Sequence, residues 1–242
     1  MLTIRVVSYN IRHARGLDHR VDLNRVAQVL GAGKAQLIGL QEVDKHMPRS
    51  FFQHQAKILG RWLRKSWVFA PNLTWGAAQY GNAVLCGWPI VSYRQYLLPS
   101  QGEQRGLLET EIALPAGTVS FFCTHLGLNQ QERLQQAEEI LRIVTRTNRP
   151  VILVGDFNDR PDSPVYRLIT SVLRDAAADS GEDAATYPAG QPTERIDYVF
   201  ISPAWQVLAS FPMQANASDH LPLAVDLQLG PESVQPTPVK FL

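Results

Sequence analysis

The chain has 242 residues, 45% of them hydrophobic and 19% charged, which excludes a disordered, collagen-like or coiled-coil protein and allows a sizeable core. Lys and Arg total 23 against 22 Asp and Glu, a net charge of +1, so no global basic field holds nucleic acid and any attraction for phosphate must come from a local patch or a bound metal. No apolar run approaches the ~18 residues of a membrane span, and the two cysteines, Cys86 and Cys123, lie in apolar stretches as expected of buried thiols in a reducing compartment.

The start, Met1-Leu2-Thr3-Ile4-Arg5-Val6-Val7, is strand-like and shows no signal-peptide pattern, so the expected location is cytoplasmic. A first strand spans Thr3 to Tyr9, followed by an Arg- and His-rich loop from Ile11 to Arg20. Leu23, Val26, Ala27 and Leu30 have helical spacing, with Gly31 and Gly33 expected to end that helix. Leu37 to Leu40 is a short buried strand running into Gln41-Glu42-Val43-Asp44. Phe52, Ala56, Leu59 and Leu63 mark a second helix; Gly81 to Leu85 and Ile90 to Leu97 read as strands. Leu107 to Leu114 and Thr118 to Thr124 flank a Pro-Ala-Gly turn, a hairpin signal. Leu134, Ala137, Leu141 and Val144 mark a third helix, and Val151 to Val154 is another buried strand. Ser163-Pro164 pairs an N-cap with proline at the first helical position, ahead of Val165, Leu168, Ile169 and Val172 as the buried face. Asp179 to Thr193 reads as an exposed loop, and Ile196 to Ile201, Trp205 to Phe211 and Leu221 to Leu227 as the closing strands. A single domain over 1–229 and a tail over 230–242 follow. Strand, helix and buried strand ending in a polar cluster occurs at 3–42 and again at 118–158, an internal echo, and the apolar strands argue for sheets covered by helices.

Polar residues crowd the ends of these strands. Asn10, Glu42 and His125 end strands, Asp156 and Asn158 follow one, Asp197 enters one, and Asp219 and His220 precede the last. If the late strands run antiparallel to the early ones, all of these converge on one cleft. Several carboxylates with an Asn and no thiolate suit a hard, oxygen-loving cation such as Mg2+ or Mn2+. Such an ion neutralises phosphate charge, a buried Asp orients or deprotonates water, and His and Asn hold the non-bridging oxygens. Together these describe hydrolysis of a phosphate ester. Arg12, His13, Arg15, His19 and Arg20 form the densest basic patch, expected at the mouth of the cleft.

The segments Ser8-Tyr9-Asn10-Ile11, Gln41-Glu42-Val43-Asp44, Tyr80-Gly81-Asn82-Ala83, Thr124-His125-Leu126, Gly155-Asp156-Phe157-Asn158, Arg195-Ile196-Asp197-Tyr198 and Ser218-Asp219-His220-Leu221-Pro222 resemble, in order, those of the endonuclease/exonuclease/phosphatase family of DNase I-like phosphoesterases. The resemblance runs from about residue 3 to about residue 227. It implies an α/β fold, a four-layer sandwich of two mixed sheets packed face to face with helices outside. It also implies roles: Glu42 as principal metal ligand with Asn10 beside it and Asp219 in support, Asp156 aligning or activating water, Asn158 holding water or phosphate, His125 on the phosphate, and His220, oriented by Asp197, stabilising the transition state or moving a proton. Asn82, Arg105 and Arg12 are the candidate substrate contacts. Cys86-Gly87-Trp88 departs from the Ser-Arg or Ser-Lys often found there in relatives, leaving that surface less basic.

The expected activity is Mg2+- or Mn2+-dependent hydrolysis of a small or lipid-like phosphoester by a monomer without membrane insertion. DNA or RNA cleavage is the competing reading, with nucleic acid as the partner. A non-catalytic binding module of this fold should have lost Glu42, Asp156, Asn158 or His220, and all are present.

Overall fold

In the computed structural model, which describes residues 2–181 and 185–230, the chain alternates between two sheets. The elements are β1 (Thr3–Asn10), α1 (Leu23–Gly33), β2 (Leu37–Lys45), α2 (Gln55–Trp62), β3 (Ser66–Trp75), β4 (Ala78–Cys86), β5 (Ile90–Leu97), β6 (Gly106–Leu114), β7 (Gly117–His125), α3 (Gln130–Val144), β8 (Val151–Asp156), α4 (Pro164–Thr170), β9 (Arg174–Asp175), α5 (Ala176–Ser180), β10 (Asp197–Ile201), β11 (Trp205–Pro212) and β12 (Leu223–Leu229). The tail read at 230–242 lies, beyond Gly230, outside the described residues. No described helix is long and apolar enough to cross a membrane.

Each sheet has six strands, in the orders β11-β12-β1-β2-β4-β3 and β5-β6-β7-β8-β10-β9. The internal echo is visible at their centres. β1 and β2 pair in parallel across α1, and β7 and β8 pair in parallel across α3. Successive side chains of a strand point to opposite faces, and both faces here are apolar. Ile4 and Val6 of β1, Cys123 of β7 and Val154 of β8 meet between the sheets. Val7 and Tyr9 face α1 and α2 instead, and Leu153 and Phe122 face α3 and α4. The result is the expected α/β sandwich of four layers.

Local chemistry sets the element ends. The Asp22 side chain caps α1 by accepting from the Asn24 N–H, Asn129 caps α3, and Ser163 caps α4 with Pro164 in its first turn. Some expectations fail for identifiable reasons. α1 runs through Gly31 to Gly33, and Lys34 takes the left-handed capping position. α2 starts at Gln55, leaving Phe52 exposed in a loop before it. α4 stops at Thr170, so Val172 is exposed. β3 has no counterpart in the sequence reading: it is an edge strand whose pattern is broken by a register shift between Pro71 and Leu73 and by Pro71, which an edge or a bulge tolerates. The stretch from Asp179 to Thr193 is not simply an exposed loop, because Thr186 and Ala189 are buried in it.

The two sheets meet closely at Gly39 of β2. A Cβ there would lie 2.2 Å from Val154 Cγ2 and 3.1 Å from Cys123 Sγ, both on the opposite sheet. Gly39→Ala should therefore cost about 1–3 kcal/mol through overpacking, read in a thermal melt as a fall of several degrees in Tm; an unchanged Tm would show that the sheets part freely there.

His54 caps α2 through Nδ1, which accepts from the Lys57 N–H at 3.4 Å, and its ring packs edge-on against Trp67. Burial, aided by Lys45 and His46, pushes this imidazole down from 6.5 to about 4. The unfolded chain thus takes up the proton first, so the stability contributed by neutral His54 is complete above about pH 6.5 and is lost as pH falls towards about 4. His54→Asn, which keeps a capping acceptor without titrating, should flatten the dependence of Tm on pH in that window; a wild-type slope in the variant would assign the loss to other groups.

Candidate active site

The strand directions bring the polar strand ends together. β12 runs antiparallel to β1, and β10 antiparallel to β8. Asp156 is in register with His125 on one side and with Asp197 on the other. Asn10 ends the neighbouring sheet's β1. Glu42 does not end β2, which runs on to Lys45; it lies where the β2–β4 register shifts between Leu40 and Val43, with φ +57, and that bulge re-aims its side chain from within the strand. Asn158, at φ +49, takes a left-handed conformation that Asn tolerates.

The Asp156 carboxylate is the hub. Its Oδ2 accepts from Asn10 Nδ2 at 2.9 Å and lies 3.5 Å from His125 Nε2 and 3.6 Å from His220 Nε2, while Oδ1 accepts from the Asn158 N–H at 2.9 Å. Burial pushes this carboxyl up to about 6 and Asp197 adds to the rise, whereas His220 opposes it. His220 places Nδ1 2.9 Å from Asp197 Oδ2, and Thr186 Oγ1 donates to that same oxygen at 2.5 Å. Burial works against a charge on His220, but Asp197 and Asp156 outweigh it and raise the imidazole to about 10, so it is an imidazolium at neutral pH. The Tyr187 ring lies against it, with centroids 4.9 Å apart. His125 is the opposite case: burial and the Arg105 charge hold it well below its ordinary value. Arg105 Nη1 sits 3.3 Å from His125 Nδ1 and can only donate to it. Asn158 Nδ2 approaches His125 Nε2 at 3.1 Å and donates to the Leu126 carbonyl at 3.0 Å.

These groups open into a cavity of about 500 Å³ lined by Glu42, Arg105, His125, Asp156, Asn158, Asp219 and His220 among others. Asn10 and Asp197 stand behind this lining and hold it. Asn10 Nδ2 also donates to Glu42 Oε1 at 3.1 Å, while its Oδ1 accepts from the Arg12 N–H at 3.0 Å.

Glu42 is the best-suited place for a cation. Burial pushes its carboxyl up, the Asn10 hydrogen bond opposes the rise, and Asp219 adds to it. The nearby arginines are matched elsewhere: Arg12 with Asp219, Arg49 with Asp44 and Arg105 with Glu103. A half-buried carboxylate with only an amide against it is short of positive charge, and oxygen donors without thiolate fit a hard divalent ion. Asp156, Asp197 and His220 also bring ligand atoms within 4.8 Å of one another. There, however, an imidazolium already lies between the two carboxylates and supplies their positive charge, so that cluster is accounted for without an ion.

Two expected substrate contacts are placed differently. Asn82 is buried and donates to the Gly106 carbonyl at 3.0 Å, tying β4 to β6 across the sandwich instead of lining the cavity. Arg12 does not line the cavity but pairs at 3.2 Å with Asp219, which does; its loop takes left-handed conformations at Arg12, His13 and Ala14, and Gln55 fastens it through the His13 carbonyl. The arginines facing the cavity are Arg105, as expected, and Arg49, which lay in no motif. Thr186 and Tyr187 were likewise hidden in a turn-rich stretch.

A protein-family model of the endonuclease/exonuclease/phosphatase family matches residues 7–220. No curated protein matches the chain in sequence. Among solved structures, an endonuclease/exonuclease/phosphatase from Beutenbergia cavernae DSM 12333 is 26% identical with a TM-score of 0.80, the match covering 95% of this chain and 72% of that one. A mannosyl-6-phosphatase from Bacteroides thetaiotaomicron VPI-5482 is 22% identical with a TM-score of 0.79, covering 93% of this chain and 100% of the other. The human Nocturnin catalytic domain is 22% identical with a TM-score of 0.75, covering 94% of both.

Removing Asp197 would strip His220 Nδ1 and Thr186 Oγ1 of a shared buried partner. Breaking such a pair costs about 3–5 kcal/mol, and Asp197→Ala should fall towards the lower end because Asp156 remains beside His220. Urea denaturation at neutral pH measures this; a loss below about 1 kcal/mol would mean that the pair does little to hold the site.

Proposed function

The chain belongs to the endonuclease/exonuclease/phosphatase family, and from that premise we propose that it hydrolyses a small or lipid-like phosphoester with the help of Mg2+ or Mn2+. The observation that carries the reading is the Asp156 carboxylate, held among Asn10, His125, Asn158 and His220 at the floor of an open cavity. Glu42, with Asn10 and Asp219 beside it, would hold the divalent cation, which supplies positive charge to the phosphoryl oxygens when bound.

The chain's own residues then divide the work. Asp156, raised by burial to about 6, is ionised yet basic enough near neutral pH to take a proton from water. The water oxygen attacks phosphorus in line, the bond from phosphorus to the esterifying oxygen breaks, and the water's proton passes to Asp156. The His220 imidazolium holds phosphoryl charge and has a proton to give to the departing oxygen. Asn158 and His125 face the same oxygens, and Arg105, beside His125, helps to keep that ring neutral. Asp197 and Thr186 position His220.

The size of the site favours a small ester, since a cavity of about 500 Å³ is of small-molecule scale. The net charge of +1 gives little of the electrostatic attraction on which sequence-blind duplex binding relies. The similarity to a mannosyl-6-phosphatase supports phosphomonoester chemistry on this fold.

The test is a hydrolysis panel of alkyl and aryl phosphates, phosphodiesters, a phospholipid headgroup ester, single-stranded RNA and plasmid DNA. Turnover of small or lipid-like esters should require a divalent metal, stop with EDTA, and fall about 100- to 10,000-fold in Asp156→Asn, the range for loss of a general base. Near-native turnover by a folded Asp156→Asn protein would remove Asp156 from the mechanism. Cleavage confined to polynucleotides, with a steep salt dependence, would replace the small-ester reading by a nuclease.

A further inference from the structure

The walls of the cavity differ in kind from its floor. Leu73 and Trp75 are two residues apart on β3 and so share one face of that strand, and Tyr80 of β4 lies directly across from Leu73. All three line the cavity from one sheet, while Leu128, just beyond β7, lines it from the other side of the sandwich with Ile196, which precedes β10. Trp75 is 56% exposed and Leu128 78% exposed. Single exposed apolar residues are ordinary, but these two border the same opening, above a polar floor, where a ligand would take their surface out of water. The charged groups on these walls are paired: Arg49 with buried Asp44, Glu194 with Arg160, and Glu103 with Arg105.

We infer that the cavity selects phosphoesters whose esterifying group is an apolar chain, clasped between Trp75 on the β3–β4 hairpin and Leu128 after β7 while the phosphoryl group rests on the floor. This rests on the phosphoester reading and names the substrate class within it. Trp75 and Leu128 are specificity residues in this assignment; they touch the esterifying group and not the reacting atoms.

The experiment uses n-alkyl phosphates from methyl to octyl, each as the monoester and as the p-nitrophenyl diester, so that within each series the bond broken stays the same while the apolar chain grows. Both kcat/KM and affinity by calorimetry are measured in the presence of Mg2+ or Mn2+ for the wild type, Trp75→Ser and Leu128→Ser. Both variants change exposed side chains. In the wild type, kcat/KM and affinity should rise about two- to fourfold per methylene while the chain is being buried, and each variant should lose most of that rise, with the loss growing from methyl to octyl. Turnover that is flat with chain length overturns the inference and leaves the hydrolase reading intact. An equal loss along the whole series in both variants overturns it too. Binding that rises with chain length and depends on Trp75 and Leu128, without turnover of any ester, upholds the clasp and overturns the hydrolase reading.

Discussion

A carboxylate almost without water is the constraint on which the rest of this molecule depends. Asp156 is buried where the two sheets end together, and an unpaired ion in such a place costs several kcal/mol. The fold answers from every side. One oxygen takes the Asn158 N–H, the other takes the Asn10 amide, and His220, kept charged by Asp197, stands 3.6 Å away. What remains of the penalty is what makes the group a base near neutrality. The burial that threatens stability and the chemistry proposed for the site are therefore one fact seen from two directions.

The two histidines at this hub carry opposite states for reasons that lie in their backs, not their faces. Both approach the same oxygen of Asp156 at nearly equal distance. Behind His125 stands an arginine, and behind His220 stands an aspartate. Burial, aided by the arginine, holds the first ring neutral, while the aspartate, with Asp156, keeps the second charged. The pair divides into a neutral ring and an imidazolium without any difference in residue type.

Much of this could be read in the sequence because the chemistry sits at strand ends. Asn10, Glu42, His125 and Asp156 each close an apolar run, and the repeated strand–helix–strand pattern put two such closures in each half. The antiparallel return of β10 and β12 then had only to bring Asp197 and His220 to the same edge, as it does. What could not be read depends on contacts between segments far apart in the chain. Asn82 sits in a motif yet spends its amide across the sandwich on Gly106, and Arg12 spends its charge on Asp219 from a loop whose left-handed conformations no side-chain pattern announces. Arg49 and Thr186 acquire their meaning only from Asp44 and Asp197, partners set by folding. β3 was hidden by Pro71, which a central strand would have excluded and an edge accepts.

The hydrogen bond from Asn10 to Asp156 joins a strand of one sheet to a strand of the other. Glu42 belongs to the first sheet, and His125 belongs to the second. The site is thus a seam, and neither sheet owns it. Any molecule that settles there bridges the two sheets and acts as a rivet between them, so its binding energy adds to the cohesion of the whole sandwich. Occupancy of the cavity and cohesion of the two sheets are then linked equilibria.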